Sequence, residues 1–441
     1  MYILEAMSIK KIVKSLVPTQ LFDAVAPLYH KLKSMLWNVL YGFPARGMQV
    51  IGVTGTNGKT TTSYLVHRML TEAGYTTGLM TTVAYGVNNN IRPQIHHMTN
   101  VGPRELMRRL KWMRSEGVNW LVLETTSHAL AQWRTWGVPY SIAVITNVTH
   151  EHLEYHKTFA RYVDAKRQLF VRTQSNSKGL QAGVVNADDT VSAHFADDMR
   201  GKVSYGIEHG EVRAIDIELK ADGIRYKVST PDESYHIESR LAGSFNVYNT
   251  LAAVCVGRTV GLTAEQIEHG IAALESVEGR MVTVQEGQRY GVLIDFAHTP
   301  DSFEKLFRDL RPMVKGKLIV LFGSAGRRDT AKRAVQGELA GQYADEVVLT
   351  EEDDRDEDGM QILDAIARGA EKSGKIRDQD LFLKLHRPEA IEFALGRATS
   401  PDDLVLLLGK GHEKTIERVD GEHPYDELGI VKDVLRSQLS K

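Results

Sequence analysis

Among its 441 residues the chain has a single cysteine, Cys255. One cysteine closes no intrachain disulfide, so a disulfide-stapled scaffold is excluded and a reducing cytoplasm is the expected home. Long apolar runs are missing too. No stretch reaches about 18 uninterrupted apolar residues, the length a membrane-spanning helix needs. The N-terminus does not read as a secretory signal, because Thr19, Gln20 and Asp23 interrupt the apolar run that follows Lys10, Lys11 and Lys14. Neither sign of charge dominates: 54 basic and 56 acidic side chains leave a net charge of −2. That balance gives no support to sequence-independent nucleic-acid binding, which needs a basic field. With 42% hydrophobic and 25% charged residues, the chain has the profile of a globular protein. At about 150 residues per domain it holds roughly three domains.

Residues 1–48 form a short basic preface. Leu28, Leu32, Met35, Leu36, Val39 and Leu40 recur at helical spacing. This predicts a helix packed on the main body; a helix lying on a membrane surface is the alternative, because basic amphipathic stretches bind there. From Met48 onward strands alternate with helices. Strands are predicted at Val50–Val53, Trp120–Glu124, Ile142–Ile145 and Gly183–Asn186, and helices at Thr60–Ala73 and Asn246–Val260. Polar residues at strand ends suit a parallel α/β sheet, whose ligands gather at the carboxyl edge. Residues 202–241 read as antiparallel strands. A second α/β unit begins near Val277, with strands at Gly291–Asp295, Lys317–Phe322, Glu346–Leu349 and Leu404–Leu408. The acidic run Glu351–Asp354, continued by Asp356–Asp358, reads as a solvated loop.

The most informative stretch is Thr54-Gly55-Thr56-Asn57-Gly58-Lys59-Thr60-Thr61. It follows a strand and opens a helix, the context that a phosphate-binding loop requires. Glycines let the backbone approach phosphate oxygens, and the helix N-terminus favours the anion. Lys59 would reach the β- and γ-phosphates, and Thr60 would hold magnesium. The spacing departs from the usual loop, with Val53 where the first glycine normally stands.

This variant resembles the ATP loop of the Mur ligases and of their relatives, the folylpolyglutamate and cyanophycin synthetases. Further segments match the MurE branch in order: Glu124-Thr125-Thr126-Ser127-His128 with Gln132 and Arg134, Thr146–His156, Ala165-Lys166, Asn186–Asp189, Gly243–Asn249, Gly279-Arg280, Asp295–Asp301 and Gly409–Glu413. The resemblance covers about residues 48–441. It implies an α/β protein with a short helical N-terminal segment (1–48), a central P-loop-type, mostly parallel sheet domain (49–276) and a C-terminal doubly wound α/β domain (277–441). It also implies a cytoplasmic, monomeric ATP- and Mg2+-dependent ligase. Such an enzyme activates a carboxylate as an acyl phosphate and joins it to an amine. Here the product would be UDP-N-acetylmuramoyl-L-Ala-D-Glu extended by a third amino acid, for peptidoglycan. The partners would be small molecules, with no nucleic acid and no stable membrane insertion.

By the same resemblance, Gly55, Thr56, Asn57, Gly58, Lys59, Thr60 and Thr61 would hold the ATP phosphates. Thr60, Glu124, His152 and a carbamylated Lys166 would hold magnesium. Asn246 and Asn249 would hold the adenine, with helix capping as their alternative role. Arg280, Asp295 and His298 would approach ATP from the C-terminal domain. Thr99, Asn100, Ser127, Gln132 and Arg134 would contact the acceptor, although Asn100 replaces a threonine of the family pattern. Asp353, Arg355, Gly409 and Glu413 would select the amino acid. Glu352-Asp353-Asp354-Arg355 stands where diaminopimelate enzymes carry Asp-Asn-Pro-Arg; an arginine suits a second carboxylate, while the extra acids suit an amine. The preface is about half the length of the family's usual UDP-gripping domain, which leaves a ligase of another acidic polymer as a rival. A non-catalytic nucleotide-binding homologue would have shed catalytic positions, yet Lys59, Thr60, Glu124, His152 and Lys166 are all present.

Overall fold

The computed structural model describes residues 19–94, 99–197, 199–220 and 223–439, without the side chains of residues 19–26 and Glu154. Lys10, Lys11 and Lys14 lie outside these residues. The described chain opens with α1 (Thr19–Leu40). There follow β1 (Gln49–Thr54), α2 (Lys59–Glu72), β2 (Thr77–Met80), β3 (Ala84–Val87), β4 (Asn90–Pro93), α3 (Pro103–Ser115), β5 (Trp120–Glu124), α4 (Ser127–Ala131) and β6 (Tyr140–Ile145). Next come α5 (Leu153–His156), α6 (Phe159–Gln174), β7 (Ala182–Asn186), β8 (Gly201–Gly206), β9 (Val212–Lys220), β10 (Gly223–Ser229), β11 (Ser234–Ser239), α7 (Ser244–Val260) and α8 (Ala264–Ala272).

These strands form one sheet in the order β11-β10-β9-β8-β7-β6-β1-β5-β2-β3-β4. Its centre is parallel: β1 pairs with both β5 and β6, β2 with β5, and β6 with β7. Successive side chains of a strand face opposite ways. Ile51, Val122, Ile142 and Val144 therefore join the core under α2 and α7, while Val50, Leu121, Ala143 and Ile145 join the core under α3 and α6. Both faces are covered, which is why these strands read as continuous apolar runs. Gly52 sits where β1 meets α6: a Cβ there would lie 2.6 Å from Leu169 Cδ1. The antiparallel expectation for residues 202–241 holds for β9–β11. It fails for β8, which lies parallel to β7. The chain crosses back through the single turn Ser192–His194 and re-enters the sheet in the same direction.

The second sheet has the order β12-β13-β17-β14-β15-β16, built from β12 (Val282–Thr283), β13 (Gly291–Asp295), β14 (Leu318–Phe322), β15 (Glu346–Leu349), β16 (Leu381–Leu383) and β17 (Leu404–Leu408). Only edge strand β12 runs antiparallel. Helices α9 (Pro300–Leu310), α10 (Ala331–Tyr343), α11 (Gly359–Lys372), α12 (Arg387–Arg397) and α13 (Glu427–Leu439) cover its faces, and a hairpin, β18 (Thr415–Arg418) with β19 (Gly421–Pro424), follows β17. Alternation again sorts the cores: Leu318, Val320 and Phe322 face one, Ile319 and Leu321 the other.

Two expectations need correction. Helix α1 does rest on the first domain, but not through its apolar stripe. Buried Ser34 and Asn38, with half-buried Trp37 between them, make the contact, Asn38 Nδ2 donating to Trp136 O at 2.8 Å, and the stripe stays exposed. Nor is the acidic run a solvated loop: Glu351 and Glu352 are buried. Arg418 donates to both Glu351 oxygens at 2.7 and 2.8 Å, and Lys410 Nζ donates to Asp353 at 2.9 Å. The run crosses the carboxyl edge of the second sheet, where basic residues from distant segments meet it. Among the described residues no helix is long and apolar enough to cross a membrane.

Candidate active site

The loop Gly55–Gly58 leaves β1 at the carboxyl edge of the first sheet and enters α2. Gly55 and Gly58 have φ of +148° and +81°. A Cβ at Gly55 would lie 1.9 Å from Thr146 Oγ1, and one at Gly58 would lie 2.2 Å from Asn249 Oδ1. Only glycine meets both demands at once. The end of β6 pins the loop: Asn57 N donates to Asn147 Oδ1 at 3.0 Å, and Thr146 Oγ1 donates to Asn57 O at 2.6 Å. Lys59 Nζ donates to Thr56 O at 2.6 Å and so lies folded across the loop. The loop thus presents the N-terminus of α2, a ready anion site.

Glu124 ends β5 beside this loop and is buried. It accepts from Thr60 Oγ1 at 2.9 Å, Thr82 N at 3.0 Å and Thr82 Oγ1 at 3.0 Å. Thr82 Oγ1 also lies 2.7 Å from Thr99 Oγ1. Asn100 acts as a brace: its amide donates to Glu124 O at 2.7 Å and accepts from Thr126 N at 2.9 Å, while its own carbonyl accepts from Arg134 at 2.6 Å. The asparagine carries its donor and acceptor on separate atoms, Nδ2 and Oδ1, so it reaches Glu124 O and Thr126 N at once.

Lys166 projects from α6 beneath the loop and is fully buried. Its Nζ donates to Gly55 O at 2.5 Å and lies 4.4 Å from the Tyr162 ring centroid. Burial, reinforced by the positive charge of Lys59, pushes this amine well below the ordinary lysine range. His152 stands in the left-handed region (φ +57°) just ahead of α5. Its ring lies edge-on to His128 at 4.7 Å. Glu151 bridges the domains, with Oε2 3.7 Å from His152 Nε2 and Oε1 3.3 Å from His298 Nε2. Burial alone would raise the Glu151 carboxyl, but His152, His298 and Lys59 outweigh it and hold the group well below its usual range.

The second domain supplies the facing wall. Asp295, at the end of β13, accepts from Met281 N and Ala297 N at 2.8 and 2.7 Å. Burial raises its carboxyl despite the neighbouring Arg280 guanidinium. Arg280 stacks on Phe296 at 4.6 Å, and its guanidinium lies 3.5 Å from Thr60 Oγ1. Asn57 Nδ2 donates to Asp301 at 2.7 Å, a second link between the domains. Asn246 and Asn249 share a face of α7, Asn249 Nδ2 donating to Asn246 Oδ1 at 2.8 Å. The cap of α7 is Gly243, so capping is not what these asparagines do.

Between the walls lies a cleft of about 1810 Å³. Thr56, Asn57, Gly58, Lys59, Thr60, Thr61, Thr99, Asn100, Glu124, Gln132, Arg134, His152, Asn246, Asn249, Arg280, Asp295, His298 and Glu413 all line it. Gly55 and Lys166 lie behind the loop, and Ser127 is buried, 3.0 Å from His156 Nε2. Asp353, Arg355 and Gly409 sit off the cleft lining, on the carboxyl edge of the second sheet. Arg355 donates to Glu417 at 2.8 Å. Asp353 and Glu413 flank Lys410 Nζ at 2.9 and 2.6 Å. Nearby, Glu352 Oε2 and Asp354 Oδ1 are buried without hydrogen-bond partners. Burial and the charges of Glu351, Glu352 and Asp353 push the Asp354 carboxyl up to about 6. Sequence reasoning missed Thr82, whose only signal was its place just beyond a strand at the carboxyl edge. It also missed the link from Asn57 to Asp301.

A nucleotide-type loop, a buried carboxylate beside its threonine and a second α/β domain closing the cleft define a two-domain ATP-dependent ligase. Comparison with known families agrees. Residues 53–257 match the Mur ligase middle domain and residues 279–411 the Mur ligase glutamate ligase domain, so the chain belongs to the Mur ligase family. It is similar to the UDP-N-acetylmuramyl-tripeptide synthetase of Roseiflexus sp. (strain RS-1), with 41% identity over 90% of this chain and 80% of that protein. The UDP-N-acetylmuramoyl-L-alanyl-D-glutamate–2,6-diaminopimelate ligase of Geobacillus kaustophilus is 38% identical over 86% of this chain and 77% of its own length. Among solved structures, one of such a diaminopimelate ligase matches with a TM-score of 0.61 at 27% identity, covering 94% of this chain and 83% of that one. Mycobacterium tuberculosis folylpolyglutamate synthase shares the fold, with a TM-score of 0.68 at 15% identity over 93% of this chain and 95% of that one.

Proposed function

We propose that this enzyme adds a diamino acid, meso-diaminopimelate or L-lysine, as the third residue to UDP-N-acetylmuramoyl-L-Ala-D-Glu in the cytoplasm, consuming ATP. The observation that carries this reading is the grouping of the phosphate loop, Glu124 and the Asn100–Arg134 brace along one cleft wall, faced by Arg280, Asp295 and His298. ATP would lie with its phosphates against Gly55–Thr61 and Lys59, and with its adenine by Asn246 and Asn249. Thr60 and Glu124 put side by side two oxygens that suit magnesium, although among the described residues no group of three or more His, Cys, Asp or Glu side chains is placed to hold a metal ion; His152 would add a nitrogen, and burial pushes the Lys166 amine well below the ordinary lysine range. An uncharged amine attacks carbon dioxide, losing a proton to form a carbamate, and so becomes a carboxylate-like group. Thr60, Glu124 and His152 would hold magnesium, which would supply charge stabilisation for the transferred phosphoryl group, and a carbamylated Lys166 would support a second magnesium.

The acceptor's carboxylate attacks the γ-phosphorus of ATP, forming an acyl phosphate as the β–γ bond breaks and ADP leaves. The amine of the incoming amino acid attacks that carbon, and phosphate leaves as the amide forms. Closure of the second domain through Glu151–His298 and Asn57–Asp301 keeps water from the acyl phosphate. Thr99, Asn100, Ser127, Gln132 and Arg134 would orient the acceptor. Glu413, Asp353, Gly409 and Arg355 would receive the amino acid. The acidic residues at this sheet edge, among them Glu352 and Asp354 with buried oxygens that lack hydrogen-bond partners, favour a substrate with a second amine.

The test is phosphate release from ATP with UDP-N-acetylmuramoyl-L-Ala-D-Glu, adding diaminopimelate, lysine and ornithine separately. The expected result is release that needs the acceptor and one diamino acid. ATP binding without release for any of them would point to a different acidic acceptor.

A further inference from the structure

Helix α1 turns little of its apolar surface inward: Trp37, with Tyr41 just beyond the helix, packs on the first-domain core. Among its described side chains the fully buried ones are polar, Ser34 and Asn38. Its exposed face is apolar: Leu28, Tyr29, Leu32, Met35, Leu36, Val39 and Leu40, with Leu28, Val39 and Leu40 at 59%, 61% and 62% exposure. Steps of one, three and four residues put all seven on one stripe, roughly 18 Å long at 1.5 Å per residue. An amphipathic helix usually turns such a stripe toward the core. Contiguous exposed apolar surface of this kind marks an interaction site.

The rim of the stripe is basic. Between Thr19 and Met48 Asp23 is the one acidic residue, against Lys31, Lys33 and Arg46. The neighbouring α3 adds Arg104, stacked 5.4 Å from Trp37, and Lys111, 6.0 Å from Tyr41. Residues 1–18 contribute Lys10, Lys11 and Lys14 against Glu5. We propose that the apolar face of α1, with its basic rim, docks this enzyme on the surface of an anionic lipid membrane. An apolar stripe bordered by lysine and arginine is what an interfacial helix requires: the stripe enters the acyl boundary and the cations meet the headgroups. Charge excludes the other occupants. A second copy, related by a two-fold axis, would set the basic rim against itself, and residues 1–18 carry the same sign. The docked helix also borders the substrate cleft, which His30 and Lys33 help to line.

Vesicle flotation of the full chain tests this, with phosphatidylcholine vesicles and with vesicles containing phosphatidylglycerol. The expected result is flotation with the anionic vesicles alone, weakened by added salt. Flotation falls at least tenfold in a double variant, Leu36→Glu with Val39→Glu, whose phosphate release in solution stays unchanged. Because both side chains are exposed, that variant should fold; Arg46→Glu with Lys111→Glu gives an independent arm and should also lower flotation. Absence of flotation overturns the proposal. So does equal flotation of both variants and the wild type, or a concentration-dependent dimer that the double variant abolishes, which would assign the stripe to a second copy.

Discussion

Replacing Gly58 with alanine tests the geometry of the phosphate loop directly. Two costs follow from the structure. The backbone at φ +81° disfavours any residue with a Cβ, by about 1–2 kcal/mol. The new methyl group would also lie 2.2 Å from Asn249 Oδ1. Asn249 must rotate away, losing its 2.8 Å bond to Asn246 and its 3.4 Å contact with Thr62; such overpacking costs about 1–3 kcal/mol. Both costs fall on the conformation that binds phosphate. If about 2 kcal/mol is levied on the complex, affinity falls about 30-fold. Titration calorimetry with a non-hydrolysable ATP analogue measures this. Gly74 is the control: it has φ +91°, but nothing lies within 4 Å of its would-be Cβ. Gly74→Ala should lower thermal stability by about 1–2 kcal/mol and leave the nucleotide Kd unchanged. Wild-type affinity in Gly58→Ala, or an equal loss in Gly74→Ala, would refute the reasoning.

Three further predictions concern charge. Glu124→Gln can keep its contacts if the amide faces the Thr82 hydroxyl, so the fold should survive while turnover drops about 100-fold or more; near-wild-type turnover would remove Glu124 from the site. Lys166→Ala should lose a similar factor, and the wild type should slow in carbon dioxide-free buffer; activity indifferent to carbon dioxide would rule out the carbamate. Asp354, raised to about 6, binds its proton more tightly folded than unfolded, so it lowers stability as pH rises from about 4 to about 6. Its ionisation in the folded enzyme, centred at about pH 6, should lower the KM for the diamino acid, and Asp354→Asn should flatten that pH profile; an unchanged profile would place the substrate amine elsewhere.

Much of the site was legible because its signals are local. A strand, a glycine turn and a helix start lie within a dozen residues, so the loop Gly55–Thr61 could be read directly. Trp120–Glu124 and Gly291–Asp295 showed both as strands and as carriers of terminal carboxylates. The same holds for Leu404–Leu408, whose unbroken apolar run marks a strand covered on both faces. The brace formed by Asn100 was not legible, because it is defined by Glu124 O, Thr126 N and Arg134, which no spacing rule connects. The link from Asn57 to Asp301 spans 244 residues, and nothing local to either residue encodes it.

The sequence by itself determined the two α/β units and the phosphate loop, because periodicity and turn chemistry act over short range; the groups expected to handle ATP came from the resemblance of its motifs to a family. It also specified that α1 would be amphipathic. Only the tertiary structure decided which way that helix faces, since its orientation depends on carbonyl partners such as Trp136 O about a hundred residues away. The same is true of the acidic run: Glu351 and Asp353 are held by Arg387, Arg418 and Lys410, which the fold brings to one sheet edge. Burial of charge depends on partners, and partners distant in sequence meet only when the chain has folded.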